Sequence, residues 1–383
     1  MTTTSEDWTA RAAALADDIE KAGVPLSAEW RAAVGAVPRH VLVPEFYEQQ
    51  GNQWRKVSRR QQLLEATYSL KTLVTHVTDG QPTSSSTTPT LMLRMLDWLD
   101  VHDGHDVLEI GTGTGYNAAL LSARLGDAHV FSVDVEPELV ELARQRLAET
   151  GYKPTLRAMN GADGMPDHAP FDRIIATCSV PHIPLTWFEQ LRTYGLLLAD
   201  LKLGMNAGNL VLLRRLPDRL EGRFVNRWGS FMSLRPEPAA TLDPPAQQER
   251  SAGEVRERTT LIEGTPWFDD LVPWFMLHLD GTVQAGATFG VTMDSTLGRP
   301  DGTHLVDVDG SWCEVDLRVD GKPRRVRQGG DRNLWDAVEN AYTAWAGLRH
   351  PGWERLGLTV TADHQTVWVD EPDGHRWPLP EPR

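Results

Sequence analysis

The amino-acid sequence predicts a doubly wound α/β domain, preceded by an N-terminal helical region and followed by a C-terminal α+β domain. Three observations predict it. Short apolar runs alternate with helical periodicity between residues 107 and 213, a glycine-rich turn joins the first run to the first helix, and a proline-rich stretch precedes a change of pattern.

In chain order, residues 6–35 read as helices, because Leu15, Ile19, Trp30, Val34 and Val37 recur at helical spacing around a Gly23/Pro25 break. Residues 54–70 read as a less regular connection, so residues 1–75 form a helical or cap region. Within residues 76–234, Val107–Ile110, His129–Val133, Phe171–Thr177 and Gly195–Leu201 are apolar runs of the kind buried in a parallel sheet. Ala118–Leu125 and Pro137–Ala148 are the helices between them. Pro236, Pro238, Pro244 and Pro245 mark residues 235–255 as a linker. Residues 256–383 then form the α+β domain. Ala287–Met293, His304–Val308 and Trp312–Val319 read as strands, with a hairpin signal at Asp309-Gly310. A helix follows from Leu334 to Leu348, and a last hairpin, Gly357–Val369, turns near Asp363.

The chain has 383 residues, enough for two domains, and its 40% hydrophobic and 24% charged residues are ordinary for a globular protein. A formal charge of −15 argues against nucleic acid as the main partner, since a phosphate backbone needs a concentrated basic surface. Two cysteines, Cys178 and Cys313, make no disulfide framework and have no metal-ligand spacing, so no metal site is expected and a reducing cytoplasm is. The N-terminus lacks the basic and apolar pattern of a signal peptide. Asp200, Lys202, Asn206 and Asn209 interrupt the longest apolar stretch, so no membrane span or membrane partner is expected.

The turn Glu109-Ile-Gly111-Thr112-Gly113-Thr114-Gly115 follows the first strand and opens a helix. Its glycines let backbone amides approach a ligand without an intervening Cβ. A dinucleotide fingerprint would place its third glycine where Tyr116 stands. Asp134, followed by Val135, ends the second strand where an acidic side chain accepts ribose hydroxyls, or else caps the next helix. Asp163-Gly164 follows the next helix. The Glu-x-Gly-x-Gly-x-Gly pattern resembles the first motif of class I methyltransferases, which are Rossmann-like doubly wound sheets. The resemblance implies S-adenosylmethionine as cofactor, with S-adenosylhomocysteine as product, held by Glu109, Gly111, Thr112, Gly113, Thr114, Gly115, Asp134, Val135, Asp163 and Gly164.

More of the chain resembles the protein-L-isoaspartate O-methyltransferase family. Val37-Pro-Arg-His-Val-Leu-Val-Pro-Glu45 is similar to that family's VPRHxFVPE segment, and Gly161-Ala-Asp-Gly164, Phe171–Thr177 and Ile183-Pro184 are similar to its GDG, PFDAIIVTAA and IP motifs. By that register Thr87 takes the place of an active-site serine, within the run Thr83-Ser-Ser-Ser-Thr-Thr-Pro89. The chemistry suits hydroxyl donors. A carboxylate is already ionised at neutral pH and needs holding and desolvation, not a general base. Ser85, Ser86 and Thr87 are therefore the candidate catalytic hydroxyls, with Ser84, Thr88, Cys178 and His182 lining the substrate. From composition alone the same run reads as a helix-capping loop, and Cys178 as a small buried residue rather than a nucleophile.

Repair enzymes of the family are expected to end soon after the core sheet. Thr260–Phe268 and Trp353–Thr361 resemble the C-terminal region of a subgroup that accompanies lanthipeptide and graspetide maturation. The resemblance implies an acceptor aspartate in a modified, cyclised ribosomal precursor peptide, whose methyl ester closes to an aspartimide that persists or opens to isoaspartate. Repair of isoaspartyl proteins is the alternative, and a non-catalytic peptide-binding scaffold is disfavoured by the retained Glu109, Asp134 and Asp163. For a peptide surface, Trp267, Trp274, Trp312, Trp335, Trp345 and Trp353 are candidate anchors, with Trp335 and Trp345 better read as core. The basic groups Lys322, Arg324, Arg325, Arg327 and Arg55, Lys56, Arg59, Arg60 are candidate attractors for an acidic peptide, or ordinary solvated hairpin ends.

Overall fold

The computed structural model describes residues 5–51, 53–57, 60–238, 248–294, 296, 298–317 and 321–380. Helices α1 (Ser5–Lys21), α2 (Ala28–Ala36) and α3 (Arg39–Leu42) come first. Ser27 caps α2 by accepting from Trp30 N. The connection expected after them carries structure of its own: β1 (Phe46–Gln50), β2 (Gln53–Val57), α4 (Arg60–Thr67), β3 (Leu73–Thr78) and β4 (Gln81–Ser86). These strands form a sheet in the order β2-β1-β3-β4, with its own small core of Val43, Phe46, Val57 and Leu73. The Ser/Thr run is thus the edge strand β4, pinned to β3 by pairs such as Leu73↔Ser86 and Val74↔Ser85.

Pro89, pre-set for a first helical turn, opens α5 (Pro89–Trp98). Then come β5 (Val107–Ile110), α6 (Tyr116–Leu125), β6 (Val130–Asp134), α7 (Pro137–Glu149), β7 (Thr155–Ala158), β8 (Phe171–Val180), α8 (Leu185–Gln190), β9 (Leu191–Gly204), β10 (Ala207–Arg215) and β11 (Leu220–Phe224). The chain continues through β12 (Arg256–Thr260), α9 (Leu271–Leu279), β13 (Thr288–Met293), β14 (Pro300–Val306), β15 (Trp312–Asp316), β16 (Arg324–Gly329) and α10 (Leu334–Gly347). It ends in β17 (Leu356–Val360), β18 (Gln365–Val369) and β19 (Arg376–Pro378).

The main sheet has ten strands in the order β19-β18-β17-β11-β10-β9-β8-β5-β6-β7. Strands β7, β6, β5, β8 and β9 run parallel, and every pairing from β9/β10 outward is antiparallel. The chain leaves β5 to one side for β6 and returns on the other with β8. That is a topological switch point, where the carboxyl ends of the strands open a crevice. One face of the sheet is covered by α1, α2, α5, α6 and α7 through Leu15, Trp30, Leu93, Ala119 and Leu147. The other packs Trp187, Phe224 and Phe275.

The C-terminal region divides differently from the sequence expectation of one domain over 256–383. Strands β12–β16 form a separate five-stranded sheet, but β17–β19 extend the main sheet. Leu356, Leu358 and Val360 alternate toward its core, and β17 pairs with β11 from Leu220↔Val360 to Arg223↔Gly357. Helix α9 is apolar all round and buried over Val272–Leu279. It sends Phe275 and Met276 into the main core, and Trp274 and Leu277 into that of the smaller sheet. The expected linker 235–255 lies in part, at 239–247, outside the described residues. No described helix is long and apolar enough to cross a membrane.

The tryptophans are mostly core rather than surface anchors. Trp267, Trp274, Trp312 and Trp335 are buried, with Trp267 edge-on to both Trp274 and Trp335, while Trp345 and Trp353 are partly buried. Nor is the first basic group a free patch. Arg324 is buried and donates to the carbonyls of Asp316, Ile262, Glu263 and Gly264, while Arg325 and Arg327 pair with Asp316 and Glu314. In the second group Lys56 pairs with Glu45, and Arg59 lies outside the described residues.

Candidate active site

A cavity of about 460 Å³ opens at the carboxyl ends of β5, β6 and β8, within the size range of small-molecule cofactor sites. Three walls form it: the glycine turn 111–114 with Asp134 and Val135, the hydroxyl row 83–88, and the segment 227–235.

The glycine turn is shaped at one position that only glycine fits. Gly111 has φ +101°, and a Cβ there would lie 2.6 Å from Thr177 Oγ1. Gly113 N donates to Asp134 Oδ2 (2.9 Å), and Glu136 N to Asp134 Oδ1 (3.2 Å). Each carboxylate oxygen keeps one acceptor site for a ligand hydroxyl. Burial raises the Asp134 pKa, opposed by those two N–H groups and by the nearby Arg235 charge. Glu109 lies beneath the turn, fully buried, accepting from Ser132 Oγ (2.6 Å) and Asn117 Nδ2 (2.8 Å). Desolvation pushes its pKa up to about 7, against the pull of those two donors. Gly115 does not line the cavity. It caps α6 at φ +82° and lets that helix pack on Leu147 and Ala143.

Opposite the turn, Ser84, Ser85, Ser86, Thr87 and Thr88 all line the cavity. Ser84 Oγ accepts from Thr75, Ser86 Oγ from Arg39, and Thr88 donates to Leu70 O. The hydroxyls of Ser85 and Thr87 have no protein partner among the described residues, so both remain available to an anion. Cys178 also lines the cavity, but burial raises its pKa and keeps it a thiol, weakly directed at Ile110 O. A nucleophilic role needs the thiolate, so it is a wall residue.

The structure does not bring Asp163, Gly164 or His182 to the cavity. Asp163 is exposed on the turn Gly161–Asp163, and Gly164, at φ +64°, lies close against the Gln190 side chain. Gly161 lines the cavity in their place.

The third wall was not anticipated from the sequence. Residues 227–235 run irregularly over the strand ends, tied down by Ser179 N to Met232 O (2.8 Å), Leu234 N to Ser179 O (2.8 Å) and Phe231 N to the buried Asp200 (2.9 Å). Arg235 closes it with a largely buried ion pair to Glu136, two residues beyond Asp134. Arg39, behind the hydroxyl row, was likewise not singled out as a site residue.

Residues 10–219 match the family model of protein-L-isoaspartate(D-aspartate) O-methyltransferase, more than half of the chain. The chain belongs to this family. Among curated members, the protein-L-isoaspartate O-methyltransferase of Methanosarcina mazei is 38% identical over 163 residues, 42% of this chain and 58% of that protein. The enzyme of that name from Thermotoga maritima is 32% identical over 165 residues, 41% of this chain and 52% of that protein. The chain thus spans little more than half the length of these two relatives. A solved structure titled protein-L-isoaspartate O-methyltransferase aligns with 94% of this chain and 100% of its own, at TM-score 0.54 and 22% identity, a likeness of fold. The class I methyltransferase fold follows from both findings. That fold alignment extends beyond the core sheet into the C-terminal region.

Proposed function

We propose that this protein is an S-adenosylmethionine-dependent O-methyltransferase that esterifies the free α-carboxylate of isoaspartyl residues in proteins or peptides. The observation that carries the reading is one cavity with a glycine turn and Asp134 on one wall and two unpartnered hydroxyls, Ser85 and Thr87, on the other. Family membership supports it.

The residues present fit the cofactor. Gly113 presents a backbone with no Cβ, Asp134 has acceptor capacity for a ribose diol, and Val133, Val135 and Leu234 give apolar walls. When bound, the cofactor supplies a methyl group on a positively charged sulfur. The protein's own residues do the rest. Ser85 and Thr87 hold the ionised acceptor by donating to it, and the segment 227–235 excludes water. One carboxylate oxygen gains the methyl as the methyl–sulfur bond breaks. In the ester, the following backbone nitrogen attacks the carbonyl, and methanol leaves to give a succinimide.

A cyclised precursor peptide is a second reading, favoured by one feature, the threonine at position 87 within an unbroken hydroxyl row. Thr keeps the hydroxyl but adds a methyl and stiffens χ1. Mass spectrometry after incubation with cofactor and either an isoaspartyl peptide or a cyclised acidic peptide separates the two. Methylation of the isoaspartyl peptide supports repair, and methylation of the cyclised peptide alone replaces repair by the second reading. Methylation of neither overturns both.

A further inference from the structure

Arg39 is completely buried, on α3 directly behind the hydroxyl row. Its Nη1 donates to Thr67 O (2.8 Å) and Ser69 O (3.2 Å), and its Nη2 to Ser86 Oγ (3.1 Å) and Thr87 O (3.3 Å). The guanidinium lies 5.0 Å from the ring centroid of Tyr116, itself a cavity residue. No carboxylate pairs with it among the described residues: its polar partners are carbonyls and one hydroxyl. A guanidinium stays charged in proteins, and a buried charge is ordinarily paired.

Building on the carboxylate-acceptor reading above, we infer that Arg39 is a positioning residue that makes the acceptor pocket selective for an anion. The Ser86 hydroxyl accepts from Arg39, which leaves its own hydrogen free to donate into the cavity. Accepting from a cation polarises that hydroxyl and makes it a stronger donor. The second Nη2 bond fixes the Thr87 carbonyl and hence the direction of its side chain. A neutral acceptor leaves the buried charge uncompensated. An anion held by Ser85 and Thr87, with the Ser86 hydroxyl donating beside them, compensates it across one hydroxyl.

The test measures binding rather than turnover. With S-adenosylhomocysteine present, the full chain is titrated with an isoaspartyl peptide and with its isoasparaginyl counterpart, a neutral amide of nearly the same shape. The native protein should prefer the carboxylate. Arg39→Met should shrink that preference by roughly tenfold, the scale of one charge-assisted hydrogen bond. Arg39→Lys should restore part of it, and neither should change affinity for S-adenosylhomocysteine more than about twofold. Equal weakening of both peptides, or an unchanged preference, overturns the inference. If Arg39→Met fails to fold, Ser86→Ala removes the relay while keeping the cation. It should lose the same preference, and an intact preference again overturns the inference. A native protein that binds the two peptides alike refutes the carboxylate reading itself, before any variant is compared.

Discussion

Replacing Gly111 by alanine tests how the turn is built. At φ +101° an L side chain is outside the ordinary left-handed region, a strain of about 1–3 kcal/mol. The new Cβ would also lie 2.6 Å from Thr177 Oγ1. That hydroxyl is held by the carbonyls of Ile110 (3.1 Å) and Gly111 (2.9 Å), so swinging it away forfeits about 1 kcal/mol more. Gly111→Ala should therefore cost roughly 2–4 kcal/mol in urea unfolding and weaken S-adenosylhomocysteine binding measured by calorimetry. Thr177→Ala isolates the steric part. Without Oγ1 the nearest atoms to the added Cβ are Thr177 C at 3.7 Å and Thr177 Cβ at 3.8 Å, ordinary contacts. The double variant should thus be more stable than the sum of the single changes predicts, by about 1 kcal/mol. Strict additivity, or a Gly111→Ala protein within about 0.5 kcal/mol of native, would refute the close-approach argument.

Glu109→Gln probes the buried carboxyl. Its folded pKa of about 7 lies above the reference 4.5, so the folded state binds the extra proton between those values and native stability declines as pH rises through that window. The glutamine variant should show a flatter profile and be the more stable protein at pH 8, by urea unfolding at several pH values. Arg235→Ala breaks the largely buried Arg235–Glu136 ion pair beside Asp134, and should lower S-adenosylhomocysteine affinity by roughly tenfold, with Arg235→Ala/Glu136→Ala recovering part of it. Thr87→Val keeps the shape and removes the hydroxyl. We expect kcat/KM for an isoaspartyl peptide to fall by roughly tenfold to a hundredfold, with cofactor affinity unchanged.

The parts of the site that were legible in the sequence are those where local rules and global fold agree. Val107–Ile110 is a short buried strand, Gly111 and Gly113 need positive φ, and Asp134 ends the next strand, so pattern and position coincide. The illegible parts depend on tertiary partners. Strand β4 has no apolar alternation, and its hydroxyls become a strand only by pairing with β3. Residues 227–235 have no period at all and owe their path to Ser179, Asp200 and Glu136. Arg39 stood in a recognisable segment, but its meaning lies in Thr67, Ser86 and Thr87, which are distant in sequence. Asp163, placed by its motif, is not among the residues lining the cavity.

The pairing of β11 with β17 has a consequence for synthesis on the ribosome. Leu220 and Val360 are neighbours in the sheet, so the five-stranded unit between them is an insertion whose two ends are fastened to adjacent strands. The edge of β11 stays uncovered until residues 356–360 have emerged, and closing so long a loop slows this step. A nascent chain halted before residue 356 would present that bare edge, with Leu220 and Phe224 exposed beside it, to any chaperone or neighbouring strand.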